Sequence, residues 1–140
     1  MAEHAQHETT HPLARRVTRT ALGVFLLGAG VGHLVNREEF LAQVPPFMPA
    51  QDAIVYVSGA VEIGLGAALV SGWRKEVVGA VTAAFFVAVF PGNVSQLVTQ
   101  TDAFGLDTDL KRALRLPFQP VLVVAALWST GAWRAWRQRR

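Results

Sequence analysis

One carboxylate, Glu62, interrupts the apolar stretch 53–73. A lone carboxylate in hydrocarbon costs at least about 2.5–3.5 kcal/mol on insertion scales, so it must be protonated, paired or close to water. An acid in such a position often exchanges protons, but a protonated carboxyl also joins neighbouring helices by a hydrogen bond. For Glu62 both interpretations stay open.

Six further polar side chains interrupt or border apolar stretches near one common end: His33, Tyr56, Ser58, Asn93, Gln96 and Gln119. Asn93 and Gln96 are three residues apart and therefore share a helix face. The seven residues belong to four apolar stretches. If each stretch is a helix that turns these residues inwards, they line one pocket with Glu62 at its floor. For each residue taken alone, an ordinary interhelical hydrogen bond is the competing explanation. Such a pocket suits an amphipathic ligand such as a quinone, whose carbonyls accept hydrogen bonds and whose reduction consumes protons.

The composition removes several kinds of chemistry. The chain has no cysteine, which excludes disulfides, iron–sulfur clusters and cysteine zinc sites. It also has no H-E-x-x-H, Gly-rich phosphate loop or G-x-S-x-G motif. His4, His7 and His11 have helical spacing, but no packed element supports them, so we expect no metal site. Haem ligation by His33 alone has no second supporting feature.

The elements that must position these groups are four apolar helices. Lys and Arg number 13 and Asp and Glu 10, yet Glu62 is the one charge inside the stretches 20–35, 53–73, 77–98 and 116–133. A helix in water carries charge along its solvent face, so helices without charge on any face indicate lipid as the solvent. The predicted fold class is all-α, an integral membrane four-helix bundle. A basic segment before an apolar run also fits a signal peptide, but no A-x-A-like cleavage site follows.

The bundle is expected to occupy residues 15–137, between a disordered polar tail, 1–14, and a basic C-terminal tail, 138–140. Nine Lys or Arg lie beside one set of helix ends and four beside the other. The positive-inside rule therefore predicts cytoplasmic N and C termini and a multi-pass protein of the bacterial cytoplasmic (inner) membrane. The net charge of +3 is explained by this topology, so the bilayer rather than nucleic acid is the expected partner.

Small residues at four-residue spacing predict close helix packing. They are Gly28 with Gly32 in the first stretch and Gly64 with Ala68 in the second. The first pair fits packing within the bundle and a dimer equally well, so the sequence leaves the oligomeric state open.

Five segments within about 21–133 resemble the DoxX family of small bacterial membrane proteins. They are Gly32-His33-Leu34-Val35-Asn36, Val44-Pro45-Pro46-Phe47-Met48-Pro49, Ser58-Gly59-Ala60-Val61-Glu62-Ile63-Gly64, Phe90-Pro91-Gly92-Asn93-Val94 and Arg115-Leu116-Pro117-Phe118-Gln119-Pro120. The resemblance implies a four-helix membrane bundle with a link to redox metabolism. Relatives include a subunit of a thiosulfate:quinone oxidoreductase and a methylamine-utilisation membrane component that is an assembly factor. A thiosulfate enzyme is expected to carry sulfur on cysteine, which this chain lacks.

The leading functional prediction is a redox-associated membrane subunit that binds a quinone-like or similarly amphipathic ligand in an outer-half polar pocket. A quinone is the candidate cofactor, a membrane or redox protein is the candidate partner, and the sequence does not decide whether a reaction is catalysed. One alternative is a non-enzymatic assembly or scaffold protein that docks through the connections 36–52 and 99–115. Another is a proton or small-solute carrier, although discontinuous helices in matching halves are lacking.

Overall fold

Helices account for nearly all of the regular structure. The structure, a computed structural model, describes residues 11–140. Within that range seven helices and no strand form: α1 Pro12–Val35, α2 Arg37–Leu41, α3 Gln51–Ser71, α4 Lys75–Val98, α5 Asp109–Arg115, α6 Phe118–Thr130 and α7 Ala132–Gln138. Four segments are long and apolar enough to cross a membrane: Pro12–Val35, Gln51–Ser71, Lys75–Val98 and Asp109–Thr130. The predicted all-α class and its four long apolar helices are therefore confirmed.

Helix α1 packs against α3 on one side and against α6 on the other, and α6 also packs against α4. Helices α4 and α6 are antiparallel, since Gly79 near the start of α4 meets Thr130 at the end of α6. Helices α1 and α3 are antiparallel too, because Gly23 meets Gly66 and Gly30 meets Gly59. The contact of Arg15 with Trp128 gives the same relation for α1 and α6. Helices α3 and α4 contact each other much less. The core is consequently closed along α1 and α6 and less filled between α3 and α4.

Four glycines bring α1 and α3 to backbone contact. A Cβ placed on Gly30 would lie 2.7 Å from the carbonyl oxygen of Gly59, and one on Gly66 would lie 2.7 Å from that of Gly23. Both distances are far below ordinary van der Waals separation, so only glycine fits. Close backbone approach of this kind is how helices associate where the hydrophobic effect is weak.

Inside the bundle, the glycines of the predicted pairs do not bring the long helices together. Gly28 and Gly64 have open space around them, and Gly32 faces the ring of Phe40 rather than a neighbouring helix backbone. The packing glycines repeat every seven residues instead of every four. A seven-residue spacing also returns to nearly the same helix face, because two turns take 7.2 residues.

Both chain ends differ from the predicted boundaries. Helix α1 begins at Pro12, so residues 12–14, predicted to belong to the tail, are helical. Residues 1–10 of that tail, which include His4 and His7, lie outside the described residues, and His11 is the first residue described. The fourth apolar stretch is divided at Gly131, whose φ of 78° ends α6. Helix α7 then continues as far as Gln138.

The two ends of the bundle carry different charge. At the connector end, where the connections 36–50 and 99–117 lie, ion pairs join Arg37 to Asp52, Lys111 to Asp107, and Arg112 to Asp102 and Asp109. Arg115 lies at the same end. At the opposite end, which we call the basic end, the other nine Lys and Arg lie beside the start of α1, the turn before α4, and α7.

The outer faces of the long helices are apolar. Only 22% to 33% of the residues in each apolar window are buried inside the protein. Large apolar side chains therefore remain exposed, among them Val24, Val57, Val87 and Val121. Together they expose a larger apolar surface than the scattered apolar residues on the surface of a soluble monomer.

Candidate functional site

A cavity of about 550 Å³ lies at the connector end and is lined by all four long helices. Its walls are mostly apolar and include Phe25, Ile54, Phe86, Phe118 and Leu122. The volume lies within the usual range of about 300–1,000 Å³ for small-molecule sites, which combine apolar walls with a few polar groups. We call it the connector cavity.

Five of the seven predicted site residues line the connector cavity: His33, Ser58, Glu62, Asn93 and Gln119. Gln96 is buried at 1% exposure and joins the cover of the cavity described below. Tyr56 is 47% exposed and does not line the cavity. It lies two residues from Ser58, which at 100° per residue places the two side chains on opposite sides of α3. The structure therefore does not bring Tyr56 together with the other predicted residues.

Glu62 and His33 meet at the inner wall of the connector cavity. Their side chains are only 12% and 8% exposed, and Oε2 of Glu62 lies 3.0 Å from Nδ1 of His33. The same Nδ1 lies 2.8 Å from the carbonyl oxygen of Ala29. Because a ring nitrogen carries at most one hydrogen, it cannot be well aligned with both acceptors, and Oε2 has no aligned donor. The contact is thus an ion-pair or proton-sharing contact with unused acceptor capacity.

The position of the His33 ring follows from its neighbours. A Cβ on Gly59 would lie 2.7 Å from the Cβ of His33, so the imidazole reaches α3 because that glycine has no side chain. Phe40 of α2 stacks on the ring at 3.7 Å between centroids and 29° between planes. Phe104 meets Phe40 edge-on at 4.9 Å. Glycine packing and the aromatic stack together hold the imidazole against Glu62.

Asn93 is the polar group best placed to contact a ligand. Its side chain lines the connector cavity at 6% residue exposure and makes no hydrogen bond to any other residue within 11–140. Two other polar groups of the cavity already use a donor within the protein. Gln119 donates to the Phe86 carbonyl at 3.0 Å, and Ser58 donates to the Ile54 carbonyl at 2.6 Å. A buried amide normally finds a partner, so Asn93 leaves a donor and an acceptor available to a bound molecule.

Arg115 and Gln43 were not predicted, yet both line the connector cavity. Nη1 of Arg115 donates to Oε1 of Gln96 at 3.3 Å. The side-chain oxygen of Gln43, in the amide orientation that satisfies its surroundings, accepts from Nη2 of Arg115 at 2.9 Å. The Arg115 guanidinium also lies 5.2 Å from the centroid of the Phe104 ring. No carboxylate of residues 11–140 forms an ion pair with it.

The two long connections cover the cavity. Nε2 of Gln96 donates to the carbonyl oxygens of Thr101 at 3.2 Å and Ala103 at 3.3 Å. The Glu39 carboxylate accepts the Phe104 backbone N–H, which ties one connection to the other. These contacts fix the cover over the polar groups below it.

A signal for Arg115 was present in the sequence. It stands directly before the fourth apolar stretch, in the same segment as Gln119, but was counted only as a flanking charge for topology. Gln43 lies in a connection without periodicity. Only the folded position of that connection, whose Gln43 carbonyl would lie 2.9 Å from a Cβ on Gly92, reveals its role.

Each of the five segments used for the family resemblance supplies residues to the connector cavity. These include His33, Pro45, Glu62, Asn93 and Gln119. Segments separated along the chain thus surround one volume.

Residues 22–130 match a family described as Domain of unknown function (DUF8561). The chain belongs to this family. The matched DUF8561 range includes every residue that lines the connector cavity, from Phe25 to Leu122. Comparison with curated proteins and with solved structures finds no match.

Proposed function

We propose that this DUF8561 protein is a redox-associated membrane subunit whose connector cavity binds a quinone-like or similarly amphipathic ligand. The observation that carries the proposal is the Glu62–His33 contact beside the unpartnered Asn93 in a cavity with apolar walls. Apolar walls accommodate a ring and its hydrocarbon tail, while the few polar groups orient the head.

Membrane insertion is part of the proposal. It is supported by four long apolar helices whose outer faces remain exposed and apolar, because lipid is the solvent in which such faces are stable. The excess of Lys and Arg at the basic end favours that end in the cytoplasm. Both termini then lie inside, and the connector cavity opens towards the outer half of a bacterial cytoplasmic membrane.

The polar groups of the connector cavity suit both the binding of the two quinone carbonyls and the supply of protons for their reduction. The Asn93 amide donates to one ring carbonyl, and the Arg115 guanidinium is the candidate donor for the other. Reduction of a quinone to a quinol takes up two electrons and two protons. In this proposal Glu62 and His33 transfer protons, and a partner redox protein supplies the electrons, since the chain has no cysteine to hold a cluster.

Binding of a quinone analogue to the purified full chain, measured by equilibrium titration in detergent, tests the proposal. We expect saturable binding that weakens in Glu62→Gln, His33→Ala and Asn93→Ala. Tyr56→Phe is the matched control, since it removes a hydroxyl from the exposed side of the same helix. Absence of binding, or equal affinity in the cavity variants and the control, would refute the proposal.

The second candidate is an assembly or scaffold protein for a larger membrane complex. It is favoured by apolar side chains at the connector end that nothing in residues 11–140 covers, namely Phe47 at 86% and Leu110 at 69% exposure. A partner that copurifies with the wild type and is lost from Phe47→Ser, while quinone binding is absent from both, would favour this function.

Kinship with the DoxX family also stays a proposal. Its support is the resemblance of the five segments in the sequence.

A further inference from the structure

A second pocket, of about 360 Å³, lies at the basic end. Five cations line it against a single carboxylate, that of Glu76: Arg15, Arg16, Arg19, Lys75 and Arg134. They come from the starts of α1 and α4 and from α7, which are far apart in sequence. Like charges gathered in a concave site attract an anion strongly. We call this site the basic pocket.

Ser129 contributes a second, independent feature of the basic pocket. Its side chain lines the pocket, the residue is only 5% exposed, and its hydroxyl has no hydrogen-bond partner within residues 11–140. The Nε atoms of Arg15 and Arg19 are also buried without a partner. Buried donors are nearly always satisfied in folded proteins, so three unpartnered donors at one site indicate a missing acceptor.

The basic pocket continues into an apolar groove of about 340 Å³, lined by Val124, Leu127, Trp128 and Trp133. Arg15, Gly131 and Arg134 line both. The guanidinium of Arg15 lies 5.1 Å from the centroid of the Trp128 ring, at the junction of the two. Gly131, which lies between α6 and α7, is thus part of the wall that the two share.

We propose that the basic pocket and this groove bind one anionic phospholipid. Its phosphate lies among the cations and accepts a hydrogen bond from the Ser129 hydroxyl. One acyl chain follows the groove past Trp128 and Trp133. Guanidinium groups bind phosphate oxygens through charge-assisted hydrogen bonds. A zwitterionic phospholipid binds less well because its own cation is repelled by the five cations.

This inference rests on the proposed membrane insertion, with the basic end at the cytoplasmic leaflet, where anionic lipid headgroups meet basic pockets. It is independent of the ligand in the connector cavity.

Native mass spectrometry of the detergent-purified full chain, titrated with phosphatidylglycerol and with phosphatidylcholine, tests the lipid site. We expect phosphatidylglycerol to bind more tightly and the double variant Arg15→Gln/Arg19→Gln to weaken it by about fivefold per charge removed. The matched control is Arg137→Gln/Arg139→Gln, which removes the same charge from the basic end without touching the pocket. The control should retain the wild-type affinity.

Ser129→Ala separates a binding role from a structural one. Because the hydroxyl has no partner in the protein, its removal should leave the melting temperature unchanged or raise it, while phosphatidylglycerol affinity falls severalfold. This variant also decides the question if the double arginine variant does not fold.

Three results would overturn the lipid assignment. One is equal binding of the two lipids, and another is equal loss in the pocket and control double variants, which would indicate diffuse attraction only. The third is competition by inorganic phosphate or glycerol phosphate at concentrations similar to the lipid, which would indicate free phosphate or a soluble phosphate ester instead. Lipid binding without quinone binding would refute the proposed function and leave this inference standing.

Discussion

Adding one methyl group at Gly59 should displace the Glu62–His33 pair. The new Cβ would lie 2.7 Å from the Cβ of His33 and 3.2 Å from the Gly30 carbonyl oxygen. Carbon atoms pack best at about 3.5–4.0 Å, so α1 and α3 must separate locally by roughly 1 Å. A shift of that size moves the imidazole out of hydrogen-bonding distance of Glu62, since the two now lie 3.0 Å apart.

The same substitution at Gly64 is the matched control, because it lies on the same helix with open space around it. An alanine inside a helix is favoured over glycine by about 0.5–1 kcal/mol. Gly64→Ala should therefore be neutral or stabilising. Overpacking at Gly59 typically costs about 1–3 kcal/mol, which offsets this gain and leaves Gly59→Ala the less stable variant.

Thermal unfolding in detergent, followed by circular dichroism, measures the difference, and titration with the quinone analogue measures the effect on the site. We expect Gly59→Ala to melt below Gly64→Ala and to bind the analogue more weakly. If the two variants melt together and bind equally, the glycine contact does not hold the helices in the geometry described, and the reasoning fails.

Three further predictions concern single positions. Asn93→Leu should keep or raise the melting temperature, because the amide has no partner, yet weaken analogue binding by about tenfold, the worth of one hydrogen bond. Gly131→Ala should lower stability in unfolding measurements by about 1–2 kcal/mol, since φ is 78° there. Lys111 holds the pKa of Asp107 below its ordinary value. The stability this pair contributes is present above the unfolded pKa and is lost as the pH falls through the lowered folded pKa. Acid titration should thus show a small loss that is absent from Asp107→Asn.

The long helices were predictable because hydropathy is a property of each stretch of chain by itself. The first and last residues of the helices were less predictable. Apolar character indicates where lipid is expected, whereas a helix ends where its backbone hydrogen bonds end. Helix α1 accordingly runs through Arg15, Arg16 and Arg19 back to Pro12, beyond the start of the apolar stretch.

The depth of the site was predictable, and the direction of its side chains was only partly so. Antiparallel helices that alternate in direction place His33, Asn93 and Gln119 at one end whatever their rotation. Rotation depends on which faces pack, and that is set by glycines spaced seven residues apart. For this reason Tyr56 faces away from the connector cavity although its position along α3 is near that of Ser58.

The cover over the connector cavity was not predictable from local patterns. Residues 36–50 and 99–117 combine turns, short helices and prolines without a repeating apolar spacing. Gln43 and Phe104 acquire their roles only through contacts between these two connections and the helix ends. Such long-range contacts leave no periodic signal in a single sequence.

Photoaffinity labelling with an azido-quinone, followed by peptide mapping, tests the central claim most directly. The account predicts label in the segments that line the connector cavity, around His33, Glu62 and Asn93, and its loss when excess unlabelled quinone is present. Label spread over exposed apolar positions such as Val57, Val87 and Val121, unaffected by excess quinone, would contradict a quinone site in this cavity.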